Sequence, residues 1–255
     1  MSDTDEIRWK SVLGPLLRAN SLWYYAGRQG EGRMVLSDKV IPNAKVQGLS
    51  GASLTRCDLS RLQSRLMEDV ELTDCILDDG GFTESTWGRS KLRGCRFHRA
   101  WMGRSTFEDA HLDAIDWRTA YLAAASWTRA NVTNAAFDGA FLVDAMFEES
   151  TFTRCSFWVA NLSRQETFLP PLGKMTNTRF VECDFRNATI TGMQMEGVTF
   201  ERCRFHGILG APAPGFDVTL IEPDYAATPD TKHLIDPEVM LAQWRAGETF
   251  RLPRD

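Results

Sequence analysis

Six cysteines and four histidines are the residues of this 255-residue chain best suited to metal binding or nucleophilic chemistry. Their spacing supports neither. Cys57, Cys75, Cys95, Cys155, Cys183 and Cys203 form no Cys-x-x-Cys pair, and no histidine stands at ligand spacing from them. His98, His111 and His206 fall on positions read below as outward-facing, and His233 lies in a Pro- and Gly-rich tail. No Gly-x-Ser-x-Gly elbow, phosphate loop or dinucleotide fingerprint occurs. Acid pairs such as Asp78-Asp79 read as solvated surface. The expectation is a non-enzymatic protein with no catalytic residue, cofactor or metal.

Charge and hydropathy exclude other classes. With 29 basic and 34 acidic residues the net charge is −5, which argues against direct nucleic-acid binding through phosphates. No run approaches the ~18 apolar residues of a membrane-spanning helix. The start, MSDTDEIRWK, lacks the basic opening and apolar core of a secretion signal. Unpaired cysteines fit a reducing compartment, so the location is expected to be cytoplasmic.

The elements that position these residues follow from a period of five. From Leu62 through Met67 and Leu72 to Leu162, every fifth residue is large and apolar, twenty-one in succession. At about one chance in three per site, such a run has a probability of roughly 10⁻¹⁰. Leu49, Leu54 and Leu59 precede it in shifted phase, and Phe180, Phe185, Ile190, Met195, Phe200 and Phe205 follow. Two residues before each central residue lies a small one: twenty-four of thirty such positions are Ala, Cys, Ser, Gly or Thr. All six cysteines occupy this slot, so they are expected to be buried, reduced and hydrophobic in role.

A helix would carry residues i and i+5 about 140° apart, and a strand would put them on opposite faces. A chain that turns a corner every five residues satisfies both columns, with the large residue on the axis and the small one at the wall. The pattern resembles the pentapeptide repeat family, and Ala130-Asn131-Val132-Thr133-Asn134 and Ala160-Asn161-Leu162-Ser163-Arg164 match its consensus closely. That resemblance implies an all-β solenoid, a right-handed quadrilateral β-helix with four pentads per coil. Asp or Asn precedes the central residue only at Asp58, Asp116, Asn131, Asn161 and Asp184, so no subfamily is singled out. Thirty pentads make 7.5 coils, roughly 36 Å long.

The organisation read from these columns has three parts. Residues 1–45 form an N-terminal capping segment, helical from Asp3 to Arg18 but interrupted at Gly14-Pro15. Residues 46–207 form the β-helix, with a phase slip between Leu59 and Leu62 and an inserted loop at 163–177. Residues 208–255 form a tail with a helix near 237–246, started by Asp236-Pro237-Glu238 and ended by Gly247. This helix either caps the last coil or mediates dimerisation. In gyrase-protecting members of the family a C-terminal helix mediates dimerisation, and the resemblance allows that here.

Residues twenty apart should stack on one face. One inner column becomes Met67, Trp87, Phe107, Trp127 and Phe147, an aromatic ladder in the core. Outside it, Glu68-Asp69, Glu108-Asp109 and Glu148-Glu149 alternate with Arg89 and Arg129. An unbroken acidic stripe would suggest DNA mimicry, as in gyrase-binding relatives. The interleaved arginines cancel part of that field, and residues 46–207 carry 18 basic against 21 acidic residues. On the next face the outward residues are Gly81, Trp101, Tyr121, Phe141 and Asn161, beside Ala123, Ala124 and Val143. Three stacked outward aromatics make an apolar wall that a tail, the inserted loop, a second copy or a partner should cover.

The functional expectation is binding of a protein whose identity the sequence does not specify. The candidate contacts are Trp101, Tyr121, Phe141, Phe168, Leu169 and Leu172, and a homodimer through the wall or the C-terminal helix stays open. The alternative is a DNA-mimicking modulator or protector of gyrase, a type II topoisomerase, acting through Glu108, Asp109, Glu148 and Glu149. No residue specifies a bacterial immunity, resistance or toxin-escort role.

Overall fold

A corner every five residues needs a left-handed backbone, because only such a bend turns the chain while keeping two side chains inward. The second residue after each central position supplies it. Asp69, Arg89, Asp109 and Arg129 have φ of 54°, 55°, 54° and 52°, although none is glycine. The computed structural model describes residues 3–41, 43–164, 173–228 and 230–252, with side chains from residue 12 onward.

The chain winds into a four-sided solenoid whose faces are numbered here in chain order. Face 1 is a parallel sheet of ten short strands, from Val35–Ser37 to Val218–Ile221. Its central residues, among them Leu36, Leu54, Leu72 and Leu92, stack in register. Face 2 follows the bridges Asp58, Ile76, Arg96, Asp116 and onward to Asp224, and face 3 those from Lys45 through Trp101 to Leu209. Face 4 ends in a four-stranded sheet between Ser126–Thr128 and Gln194–Glu196. Ten rungs enclose nine coils, more than the 7.5 expected, because the ladder extends one rung beyond each of the boundaries set at 46 and 207. At ~4.8 Å per rung the stack is about 43 Å long.

Coil lengths explain the breaks in the five-residue period. Ser53 pairs with Val35 and Glu71 with Ser53, eighteen residues apart, whereas Lys91 pairs with Glu71, twenty apart. The two missing residues come from the step between faces 3 and 4, where Lys45 to Gly48 and Gln63 to Leu66 span three positions. Leu62 is therefore not a central residue. It fills the small slot, and Ser64 takes the centre, both buried. The expected loop at 163–177 is shorter. Ser163 and Arg164 still bond to neighbouring coils, and Lys174–Thr176 is a strand of face 4. Its central Met175 is buried, with Gly173 in the small slot, so a pentad escaped the periodic reading.

The core is a set of ring stacks along the axis. Trp87, Phe107, Trp127 and Phe147 stack with centroids 6.1, 5.3 and 5.1 Å apart. Met67 and Met175 continue that column, also buried. On face 2, Trp117, Phe137, Phe157 and Phe185 stack at 4.9, 4.8 and 4.8 Å. In the small slots Ser85 accepts the Trp87 indole N–H at 2.6 Å, and the cysteine thiols donate to carbonyls, Cys75 to that of Leu54 at 3.4 Å. All six cysteines are buried and free.

Both ends are capped. Helix α1 (Asp3–Tyr25) runs straight through Pro15, contrary to the interruption expected at Gly14-Pro15. Packing of Leu13, Leu16 and Leu17 on the first coils offsets the one lost backbone bond. Val12, on the same helix, is exposed. Asn20 ties the helix down, donating to the Ser50 carbonyl at 2.9 Å and accepting from Met34 N–H at 2.8 Å. At the other end α2 (Pro237–Arg245) begins at Asp236, whose carboxylate accepts the Glu238 N–H at 2.9 Å. Its Met240, Leu241 and Trp244 are buried, and the Trp244 ring meets Phe205 and Phe216 edge-on, each at 6.2 Å.

Candidate functional site

Face 3 carries the wall. Trp101, Tyr121 and Phe141 immediately precede buried central residues, so the pleat turns their rings outward. The Trp101 and Tyr121 rings lie 5.2 Å apart at 34°, and those of Tyr121 and Phe141 5.2 Å apart at 11°. Trp101 is 59% exposed and Tyr121 38%, while Phe141 is half-buried. The Tyr121 ring lies over Gly103, where an added Cβ would meet its Cε1 at 3.0 Å. Ala123, Ala124 and Val143, expected to widen the wall, are buried. Phe168, Leu169 and Leu172 lie outside the described residues.

Two exposed residues that sequence reasoning passed over precede the Asn161 rung of face 3 in the chain. Trp158 and Val159, each 48% exposed, sit on the corner that leads from face 2 into Asn161. Val159 has φ of 56°, an uncommon backbone for a β-branched residue. The signal was present: a Val at the corner position, where Asp, Asn, Gly and Arg predominate, is out of place unless its side chain has a use.

Arginines pair with the first two acid pairs of the acidic column. Arg89 bonds Asp69 through Nε at 3.0 Å and through its terminal nitrogen at 2.8 Å, and reaches Glu68 at 3.1 Å. Arg129 repeats the arrangement two rungs on, pairing Asp109 at 2.8 and 3.0 Å and also Glu108. Hydrogen bonds from Arg129 hold the Asp109 carboxyl below its ordinary range. Burial pushes Asp69 upward, but bonds from Arg89, Tyr24 and Arg28 outweigh it and leave its carboxyl low. Tyr24 in turn is pushed up to about 12, by burial first and then by Asp69. Glu148 and Glu149 extend the column without a bonded arginine among the described residues.

His98 lies 2.6 Å from Asp116, which Arg118 also binds at 2.9 Å. Among the described residues no group of three or more His, Cys, Asp or Glu is placed to hold a metal ion. None of the described helices is long and apolar enough to cross a membrane. The apolar face of α2, one of the two surfaces offered for a homodimer, is spent on its own last coil.

A four-sided β-solenoid with capped ends and an outward aromatic column defines the class: a repeat protein that presents a rigid surface. Comparison with known proteins agrees. Residues 118–154 and 174–207 match the family model of pentapeptide repeats, in eight copies. Over those residues the chain carries pentapeptide repeats. No curated protein matches it. Among solved structures it is similar to QnrB1, a plasmid-mediated fluoroquinolone resistance protein, with 14% identity and a TM-score of 0.53 over 86% of this chain and 98% of that one. HetL, involved in heterocyst differentiation regulation in the cyanobacterium Nostoc, aligns over the same shares at 17% identity and a TM-score of 0.36. At these identities the QnrB1 likeness concerns the fold.

Proposed function

We propose that this protein is a non-enzymatic binding module that engages a protein partner through face 3. The observation that carries the reading is the outward ring column of Trp101, Tyr121 and Phe141, with Trp158 and Val159 exposed just before the Asn161 rung. Aromatic anchors on a rigid scaffold lose little conformational entropy on binding, and Trp and Tyr are enriched where interfaces concentrate their energy. Phe168, Leu169 and Leu172 are kept as proposed contacts for their nearness in sequence to Asn161 and Arg164. The six free, buried thiols suit a cytoplasmic setting. The test is Trp101→Asp combined with Tyr121→Asp. Partner capture and self-association should both weaken in a protein whose circular dichroism is unchanged. If neither moves, the reading fails.

The second reading, a DNA-mimicking modulator of gyrase, draws support from the structural likeness to QnrB1 and from the acids of face 4. Against it stand Arg89 and Arg129, which occupy alternate rungs of the same column. A supercoiling assay with and without a gyrase poison separates the two. Inhibition or protection at low micromolar protein, reversed by salt and by Glu108→Gln with Glu148→Gln, would favour the mimic. No effect at tens of micromolar would remove it.

A further inference from the structure

The shortened first coils leave a groove beside the wall. Because Lys45 to Gly48 and Gln63 to Leu66 take three residues instead of five, the residues that elsewhere fill the corner between faces 3 and 4 are missing. Gly81 adds no side chain on the next rung, and Trp101 follows it directly. The result is a recess of about 690 Å³ with Lys45, Gln63, Arg65 and Gly81 on its rim and floor. A second recess of about 310 Å³ shares Lys45, Val46, Gln47 and Leu66 with the first and runs on against α1, where Arg18, Tyr24 and Tyr25 line it. The two recesses adjoin along these shared residues, and the bridge from Gly81 to Trp101 puts the first one rung from the aromatic column.

Its charge differs from that of the molecule. The chain carries a net charge of −5, yet the groove is lined by Arg18, Lys45 and Arg65 and by no Asp or Glu. Arg18 and Lys45 make no ion pair among the described residues. Arg65 shares Glu84 with Arg104, each 3.6 Å away, and remains largely exposed. Polar side chains such as Gln47 and Gln63 supply neutral donors between the cations.

We propose that this groove binds an extended acidic peptide segment, with its carboxylates on Arg18, Lys45 and Arg65 and an apolar side chain against Trp101. The proposal rests on the reading of face 3 as a binding surface and specifies the partner's chemistry. Single-stranded nucleic acid is the less fitting polyanion. The rings of the column stack on each other at 5.2 Å, which leaves no slot for a base between them, and a chain of net −5 repels a long polyphosphate. A short acidic peptide presents fewer charges to that field.

The experiment selects a displayed random peptide library on the full immobilised chain and measures the winning synthetic peptides by fluorescence anisotropy. Winners should pair Asp or Glu with an aromatic or aliphatic residue. Their Kd should rise about tenfold in Lys45→Glu and in Arg18→Glu, less in Lys45→Gln, and should weaken with added salt. All three substitutions are on exposed side chains, and an unchanged thermal midpoint certifies each variant. Winners without acidic enrichment, or with a Kd indifferent to these charges, overturn the proposal, as does failure to select any peptide. Tighter, charge-dependent binding of a short oligothymidylate would overturn it in favour of nucleic acid. Loss of peptide binding in Trp101→Asp but not in Lys45→Glu sinks the groove and keeps the wall. The converse keeps the groove and sinks the wall.

Discussion

Tyr121 is the middle ring of the outward column, so its removal should cost more than removal of either neighbour. It contacts Trp101 and Phe141, each at 5.2 Å, whereas Trp101 contacts one ring of the column. A ring pair contributes ~0.5–1.5 kcal/mol beyond the area it buries. Tyr121→Ala therefore loses about 1–3 kcal/mol from stacking, and Trp101→Ala about half that. Area burial acts in the same direction, because Tyr121 is 38% exposed and Trp101 59%. Urea unfolding followed by far-ultraviolet circular dichroism gives both costs, provided the denaturant slope stays constant. A double-mutant cycle should return a Trp101–Tyr121 coupling of ~0.5–1.5 kcal/mol. Additivity within ~0.3 kcal/mol, or a larger cost for Trp101→Ala, would refute the stacked wall.

Other outcomes follow from the same coordinates. Phe137→Ala removes a buried ring from between Trp117 and Phe157, at 4.9 and 4.8 Å, and should cost ~3–5 kcal/mol in the same unfolding assay. Trp244→Ala should expose the last coil, seen as increased binding of a hydrophobic dye without loss of the β signal. Excision of 165–172, joining Arg164 to Gly173, should leave the thermal midpoint within a few degrees. The two ends are already adjacent, since a Cβ on Gly173 would lie 3.2 Å from that of Arg164. A collapse of the β signal would show that the segment supports the coil. Acid should destabilise the protein. Asp116 feels burial, which raises its carboxyl, but bonds from Arg118 and His98 prevail and bring it to about 2. A folded pKa below the unfolded one gives stability that is complete above about pH 4 and is lost as pH falls toward 2. Asp69 and Asp109 are shifted in the same direction. A midpoint that stays level from pH 5 to 2.5 would contradict this linkage.

Much of the fold was legible because one local rule repeats. A large residue every fifth position and a small one two before it specify which side chains face the axis, and any coil obeying that rule stacks on the next. Leu72, Phe107 and Phe137 were placed in the core by count alone, and the six cysteines in the slots beside them. The same rule misassigned Leu62, since a three-residue corner is silent in a pattern that tracks only apolar residues. It missed Met175 because eight residues intervene before the period resumes. The wall was legible as far as Trp101, Tyr121 and Phe141, which share a register. Trp158 and Val159 were not, because they belong to a corner column that is charged or polar in most coils.

The sequence by itself determined the solenoid, its inner columns and the outward register of the three aromatics, all of which depend on spacing along one strand of chain. Tertiary structure decided what depends on meetings between coils and caps. It placed Arg89 and Arg129 on the acids of neighbouring rungs, turned α2 inward onto Phe205, and carried α1 unbroken across the first coils through Pro15. It also opened the basic groove, because the void left by two shortened corners exists only once α1 and the third coil stand on either side of it.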